Sequence, residues 1–381
     1  MITLDPYAQD GVDVAEGDRI SALAGEICRQ SFHNSRFVVV DDHSGHFRGP
    51  RTFRIVGIQD PSIGMTSDGV GTKSVVIDAA LAHIGAAHDL VAMCCGDITR
   101  DGGCPFGLND DLMVRSIGHE GDPVNLTIRH MLTELGHVAR ESGVVIFRGE
   151  TAEMGPCVGT DNPNPHAPFL WSGTALGIYL PHLMITGKDT TAGDQIIAIR
   201  EHGFRANGLR TVAAAFLRKF GPDWFHHPDA QEHILHAATP SVLHERFLTW
   251  INGWNPHRSN PLIQVRDLVH VTGGGIRGKL GDALRPKGLS ADLDDLYDPP
   301  EIMWLCREWR GMTDRDLYQT WNGGQGLLAI VSPTDSSAFL MAAEESGLEA
   351  RVCGMVTRRA EPTIRIPSKY GDETVEYDIL T

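Results

Sequence analysis

Residues 66 to 73 read Thr66-Ser67-Asp68-Gly69-Val70-Gly71-Thr72-Lys73, an acid beside two glycines, hydroxyls and a lysine. Asp68 offers oxygens to a hard cation such as Mg²⁺. Gly69 and Gly71 let backbone N–H groups come close to an anion. Thr72 and Lys73 are placed to contact phosphate oxygens, Lys73 as a point charge. The order is not that of a Walker A loop, which ends in Gly-Lys-Ser/Thr and opens a helix. Read alone, the octet is equally an ordinary surface turn with a solvated acid and lysine.

Three further stretches carry chemistry. His88 to Asp97 (HDLVAMCCGD) ends in an aspartate that, read alone, is a helix cap or a solvated helix end. Arg148 to Met154 (RGETAEM) follows the buried strand Gly143 to Phe147, so Gly149, Glu150 and Thr151 form a turn at a strand end, where α/β proteins put ligand-binding groups. Glu153 there braces the loop. His270 to Gly275 (HVTGGG) is a strand entering Gly273, Gly274 and Gly275; three glycines after an apolar strand suit an anion-cradling turn better than a linker.

The elements that must position these groups alternate. A helix is expected over Glu16 to Gln30 and strands over Phe37 to Val40 and Arg54 to Ile58. Helical periodicity covers Ser74 to Ile84, Leu90 to Cys95 and Leu126 to Ser142, the last with Leu126, Ile128, Met131, Leu132, Leu135 and Val138 on one apolar face. The stretch Leu183 to Ala192 reads as a strand, a turn and a polar run, and a domain boundary fits there. Asp194 to Ile199 opens a second unit as a strand, followed by a loop at Phe204 to Gly208, helices over Leu209 to Phe220 and Ser241 to Trp250, and a strand at Leu268 to Val271.

Composition sets bounds. The length of 381 residues suits two domains, and a 41% apolar fraction is enough for a real core. The net charge of −16 argues against nonspecific nucleic-acid binding, although local lysines and glycine turns still build anion sites. The seven cysteines, odd in number and without a C-x-x-C pair, point to free thiols in a reducing cytoplasm. No leader is read at the N-terminus, and no apolar run approaches the ~20 residues of a membrane span.

Taken in order, the four motifs resemble the phosphoribosylformylglycinamidine cyclo-ligase (aminoimidazole ribonucleotide synthetase) family nearly end to end. The likeness begins at Tyr7-Ala8-Gln9-Asp10-Gly11-Val12-Asp13-Val14, against the family's Y-x-x-A-G-V-D. It runs through Trp171 to Gly177 and Gly193 to Ile197, and ends near Trp321-Asn322-Gly323-Gly324-Gln325-Gly326. It implies an α/β (α+β) fold of two domains: residues 1–187 as a mixed-sheet, ATP- and Mg²⁺-binding domain that forms a homodimer, and 188–381 as a second α/β domain. It implies a ligase that uses ATP to close the imidazole ring of a ribonucleotide in purine biosynthesis. Asp68, Asp97 and Glu150 would hold Mg²⁺. Gly69, Gly71, Thr72, Lys73, Gly149, Thr151 and Gly273 to Gly275 would bind the nucleotide or substrate. Lys73, Asp97, Glu150 and Asn207 would carry the catalytic roles.

The chain also departs from that family. The loop ending His-Ser-Asn-Gly becomes Arg205-Ala206-Asn207-Gly208, and Arg205 cannot act as an acid or base near neutral pH. The segment G-A-E-P-L-F-F-L-D-Y becomes Gly103 to Asp111 (GCPFGLNDD), and P-T-R-I-Y becomes Pro240-Ser241-Val242-Leu243-His244. An early Gly-Gly-Phe-Gly loop is missing where Asp41-Asp42-His43-Ser44-Gly45-His46 stands. These changes leave open a paralogue that activates another amide or acid, or a nucleotide-binding protein without turnover. Among named branches, a hydrogenase-maturation dehydratase would need a C-terminal cysteine where this sequence ends in Thr381. A selenophosphate synthetase would need a reactive early Cys beside a Lys, whereas Cys28 stands beside Arg29. A thiamine-phosphate kinase shares only a likeness at Asp41-Asp42.

Overall fold

The computed structural model describes residues 14–45, 49–255, 260–369 and 374–379. The opening motif from Tyr7 to Asp13, His46 and the terminal Thr381 lie outside them. The chain divides into two compact units: one runs to Ile178 without Thr99–Cys104, and the other takes that segment with everything from Tyr179 onward. Among the described residues no helix is long and apolar enough to cross a membrane.

The first unit contains α1 (Val14–Ser31), the hairpin β1 (Val38–Asp42) and β2 (Arg51–Ile55), β3 (Ser62–Gly69), α2 (Lys73–Ala80), α3 (Ala86–Arg100), β4 (Cys104–Val114), α4 (Pro123–Ser142), β5 (Val145–Glu153) and β6 (Phe169–Tyr179). Four strands form a sheet in the order β3-β6-β4-β5, with β4 and β5 parallel. Along β4 burial alternates: Leu108, Asp110 and Leu112 point inward, while Asn109 and Asp111 are exposed. The inward face carries the helices. Cys28 of α1, Leu132 and Leu135 of α4, and Asp110 line one small cavity there. The Cys94 thiol of α3 lies over Gly173 of β6.

Several expectations meet a different outcome. The stretch from Gly149 to Thr151 is no turn, because pairing of Asp110 with Gly149 and Asp111 with Glu150 keeps β5 extended to Glu153. Likewise Thr66 to Gly69 are strand rather than loop. The helix expected to Ile84 stops at Ala80, where Leu81 takes a left-handed conformation. Leu126 lies off the buried stripe of α4 and is 46% exposed. Pro123 at the start of α4 and Gly143 just past its end explain why its limits were legible.

The second unit contains β7 (Gln195–Arg200), α5 (Leu209–Phe220), α6 (Gln231–Ala237), α7 (Glu245–Ile251), β8 (Val265–His270), α8 (Gly275–Leu284), β9 (Ser290–Asp292), α9 (Glu301–Arg310), α10 (Asp314–Thr320), β10 (Gln325–Val331), α11 (Pro333–Glu345), β11 (Ala350–Thr357), β12 (Thr363–Pro367) and β13 (Thr374–Asp378). Its seven-stranded sheet has the order β13-β12-β9-β11-β7-β10-β8 and is mostly antiparallel, with β12 and β9 parallel. Every residue of β10 is buried. Phe247, Leu248 and Ile251 of α7 and Phe339 of α11 pack with Ile197, Ile199, Leu268, Leu327 and Ala329 in one core.

No strand forms between Leu183 and Ala192. The Asn252 amide instead donates to the carbonyls of Gly102 (3.0 Å) and Leu183 (2.8 Å), tying both segments to the second unit. The helix expected from Ser241 begins only at Glu245. The Val242 N–H and C=O are taken by the side chains of Glu201 and Arg205, which denies them to a helix.

Candidate functional site

Each unit gathers part of the expected set. In the first, Asp68 is exposed at the end of β3, its carboxylate accepting the Gly69 N–H at 2.7 Å. Gly69 therefore does not offer that N–H to an anion. Its bare Cα makes room for the Trp171 carbonyl, which a β-carbon would meet at 2.5 Å. Gly71 and Thr72 form the exposed link to α2, Gly71 with φ +58°.

Helix α3 places Asp97 beside this strand end. The Thr66 hydroxyl donates to the Cys94 carbonyl at 2.6 Å, and the Cys94 thiol faces the Asp68 and Gly173 carbonyls, each at 3.5 Å. Asp97 follows Cys94 by three residues, on the same side of the helix. Burial pushes the Cys94 thiol up to about 12, and the charges of Asp68, Asp110 and Asp97 all add to the rise. Three carboxylates thus bear on one buried sulfur. Asp97 is half-buried within α3, three residues before its last, and so caps neither end.

Glu150 does not join them. Gly149 faces Asp110, whose Oδ1 would lie 2.4 Å from a β-carbon there, so the next residue of the strand points to the opposite, open face beside Asp111. The expected ligand trio of Asp68, Asp97 and Glu150 is split by the sheet, and no group of three or more metal-binding side chains occurs among the described residues. Thr151 lies on the inner face with Asp110. Glu153 accepts the Ile117 N–H at 3.1 Å, the bracing role expected of it.

Lys73 is also placed otherwise than expected. Its ammonium is fully buried and 2.8 Å from the carboxylate of Asp89, itself fully buried on α3. The charge that was to meet a phosphate instead joins α2 to α3.

One residue of this region was missed. Asp110 is buried, accepts the Trp171 indole N–H at 2.8 Å, and is pushed by burial up to about 7. The indole bond opposes the rise and the charge of Asp111 adds to it. Counting from the proline of the family segment G-A-E-P-L-F-F-L-D-Y, Asp110 falls on its aspartate. That was the available signal, obscured by the acidic neighbour Asp111.

In the second unit the expected groups meet. The Asn207 side-chain oxygen would lie 3.3 Å from a β-carbon on Gly273. Gly208 caps α5, and the Trp321 indole N–H donates to its carbonyl at 3.2 Å. Gly273 and Gly274 are exposed ahead of α8, and Gly274 has φ +90°, a conformation that glycine adopts without strain. Gly275 is buried: a β-carbon there would lie 2.4 Å from the Tyr318 carbonyl. Two helix amino ends, each capped by glycine, therefore flank Asn207, and N–H groups at such ends favour anions.

Two predictions follow from the buried acids and base. Lys73→Met removes the buried ammonium that bonds the Asp89 carboxylate, and the expected loss is about 3–5 kcal/mol of stability. Thermal unfolding should show the loss and its recovery when Asp89→Leu is added; an unchanged melting temperature with weaker nucleotide binding alone would return Lys73 to the phosphate. For Asp110, the native state keeps, between pH 3.8 and about 7, a proton that the unfolded chain has released. Its contribution to stability is thus whole below pH 3.8 and is lost as pH rises toward 7, on the order of 4 kcal/mol in all. Asp110→Asn should melt above wild type at about pH 8 and alongside it at about pH 4, and a pH-independent difference would contradict the assignment.

Comparison with known proteins fits this division. Residues 54–179 match the family model described as AIR synthase related protein, N-terminal domain, and residues 257–367 match its C-terminal domain. A protein of Anaeromyxobacter sp. (strain K) named phosphoribosylformylglycinamidine cyclo-ligase is 28% identical over 353 residues, 92% of this chain and 95% of that one. The thiamine-monophosphate kinase structure from Stenotrophomonas maltophilia K279a superposes with a TM-score of 0.57 at 14% identity, covering 88% of this chain and 93% of that one. The hydrogenase maturation protein HypE in complex with ATP gives 0.54 at 13% identity, covering 85% and 86%. With both domain models matched in order and the two-unit α/β fold in place, the chain belongs to the AIR synthase related family as a divergent member.

Proposed function

We propose that this protein is an ATP-dependent cyclo-ligase that converts formylglycinamidine ribonucleotide to aminoimidazole ribonucleotide, with ADP and phosphate as the other products, in purine biosynthesis. The carrying observation is the near full-length relation to a cyclo-ligase by name, in a chain where Asp68 and Asp97 share one face of the first unit.

The chemistry needs a poor leaving oxygen made good. The γ-phosphoryl of ATP passes to the formyl amide oxygen; an internal nitrogen then attacks that carbon, the C–O bond breaks, phosphate departs and a proton is lost as the ring closes. Asp68 and Asp97 are oxygen ligands suited to Mg²⁺ shared with nucleotide phosphates, which needs only one or two protein carboxylates. Bound there, the ion would neutralise charge on the transferring group. Gly71 and Thr72 provide an exposed backbone and hydroxyl in the link that follows Asp68. Lys73, through Asp89, holds the start of α2 in place. In the second unit Asn207 and the turn from Gly273 to Gly275 would hold an anionic part of the ribonucleotide, and enforced proximity favours closure.

The open face of the four-stranded sheet fits a second copy of this chain. Ser67 and Thr174 hydrogen bond at 2.8 Å on that face. By strand alternation it also carries Ile63, Leu170 and Met65, the last 71% exposed. An apolar patch shared by identical chains suits a twofold interface, and Glu150 and Asp111 would lie within it.

Purified protein with Mg·ATP should release ADP faster when formylglycinamidine ribonucleotide is added and should form aminoimidazole ribonucleotide, with both lost in Asp97→Ala. ATP binding without stimulation would overturn the reading and leave a paralogue with another substrate, or a sensor. By light scattering the wild type should be a dimer and Met65→Asp a monomer; a monomeric wild type would sink the interface.

A further inference from the structure

Arg205 stands where the related family has histidine, and its surroundings give it a different task. Its side chain is 1% exposed, and its backbone has φ +55°, unusual for a residue with a β-carbon. Nη1 donates to Glu201 Oε2 at 2.8 Å and to the Val242 carbonyl at 3.1 Å. Nη2 lies 2.6 Å from Nε2 of His270. A guanidinium only donates, so His270 Nε2 is the acceptor and the ring proton sits on Nδ1.

The three partners come from three separate places. Glu201 follows the last residue of β7, His270 ends β8, and Val242 lies in the link before α7. Glu201 also accepts the N–H groups of His202 (3.0 Å) and Val242 (3.3 Å). Gly326 of β10 leaves space for the cluster, since a β-carbon there would lie 3.0 Å from Glu201 and 3.1 Å from His244. The loops leaving β7 and β8 are those that carry Asn207 and Gly273.

We propose that Arg205 is a positioning residue that clamps the ends of β7 and β8, so that Asn207 and the glycine turn from Gly273 to Gly275 meet the substrate as one surface. Arg205 itself touches no substrate. It fixes a binding surface where a histidine would have presented an acid or base. Lysine cannot replace it, because a single ammonium lacks the planar fork that reaches Glu201 and His270 together.

The test uses Arg205→Lys and, as a second variant that keeps the shape but loses the charge and one of the two acceptor oxygens, Glu201→Gln. Hydrogen exchange reads the clamp directly: amides of residues 271–278 and 206–211 should exchange faster in both variants, with the first unit unchanged. On the cyclo-ligase reading, on which only this kinetic arm rests, KM for the ribonucleotide should rise about tenfold or more while kcat and KM for ATP stay within about twofold. Unchanged exchange in both folded variants would overturn the proposal whatever the reaction proves to be. A fall in kcat at constant KM would overturn it too, by placing Arg205 at the reacting atoms. Absence of cyclo-ligase activity in wild type with faster exchange in the variants would retain the clamp and discard the reaction.

Discussion

Strand alternation in the four-stranded sheet decides which carboxylates can act together. Successive side chains of a strand face opposite ways. In β4 this turns Asp110 inward and Asp111 outward, and the parallel pairing with β5 sends Glu150 out with Asp111. Among the described residues α1, α3 and α4 pack on the inner face, so the inner acids share their side of the sheet and the outer ones face away from it. Asp68 therefore lies on the Cys94 side of the sheet, the side that α3 and Asp97 occupy, and Glu150 does not. The same constraint bares an apolar stripe of Ile63, Met65 and Leu170 on the outer face.

Buried charge follows a second logic. Lys73 with Asp89, and Arg205 with Glu201, are ion pairs removed from solvent. Such pairs add little net stability against apolar replacements, yet breaking one is costly. Both join the start of a helix or the end of a strand to a neighbouring element beside an expected ligand-binding loop. The second cluster also shapes its neighbours. His244 is held neutral well below its usual range by burial and then by Arg205 and His270, while burial pushes Glu245 up to about 7. Within this cluster Arg205 bonds Glu201, Val242 and His270 at once, which makes it the point around which the loops are arranged.

Much of the architecture was legible from local signals. Helix α5 has the predicted limits because Gly208 and Gly221 punctuate it. The stripe of α4 was readable except at Leu126, which only packing could place. Asn207 and Gly273 were named separately and do meet. What was not legible depends on partners distant in sequence. Gly-Glu-Thr looks like a turn, and only its pairing with β4 keeps it extended. Lys73 looks like a phosphate ligand, and only Asp89, sixteen residues on, shows otherwise. Arg205 is explained by groups at 201, 242 and 270, which no local window contains.

On the cyclo-ligase reading, a phosphoryl group passes to an amide oxygen before the ring closes. A heavy-oxygen label placed in the formyl group of formylglycinamidine ribonucleotide tests it most directly. After turnover with ATP and Mg²⁺, mass spectrometry should find the label in the released inorganic phosphate, one atom for each aminoimidazole ribonucleotide formed. Label appearing in water while phosphate stays unlabelled would contradict activation of that oxygen, and with it the role assigned to the Asp68 and Asp97 face.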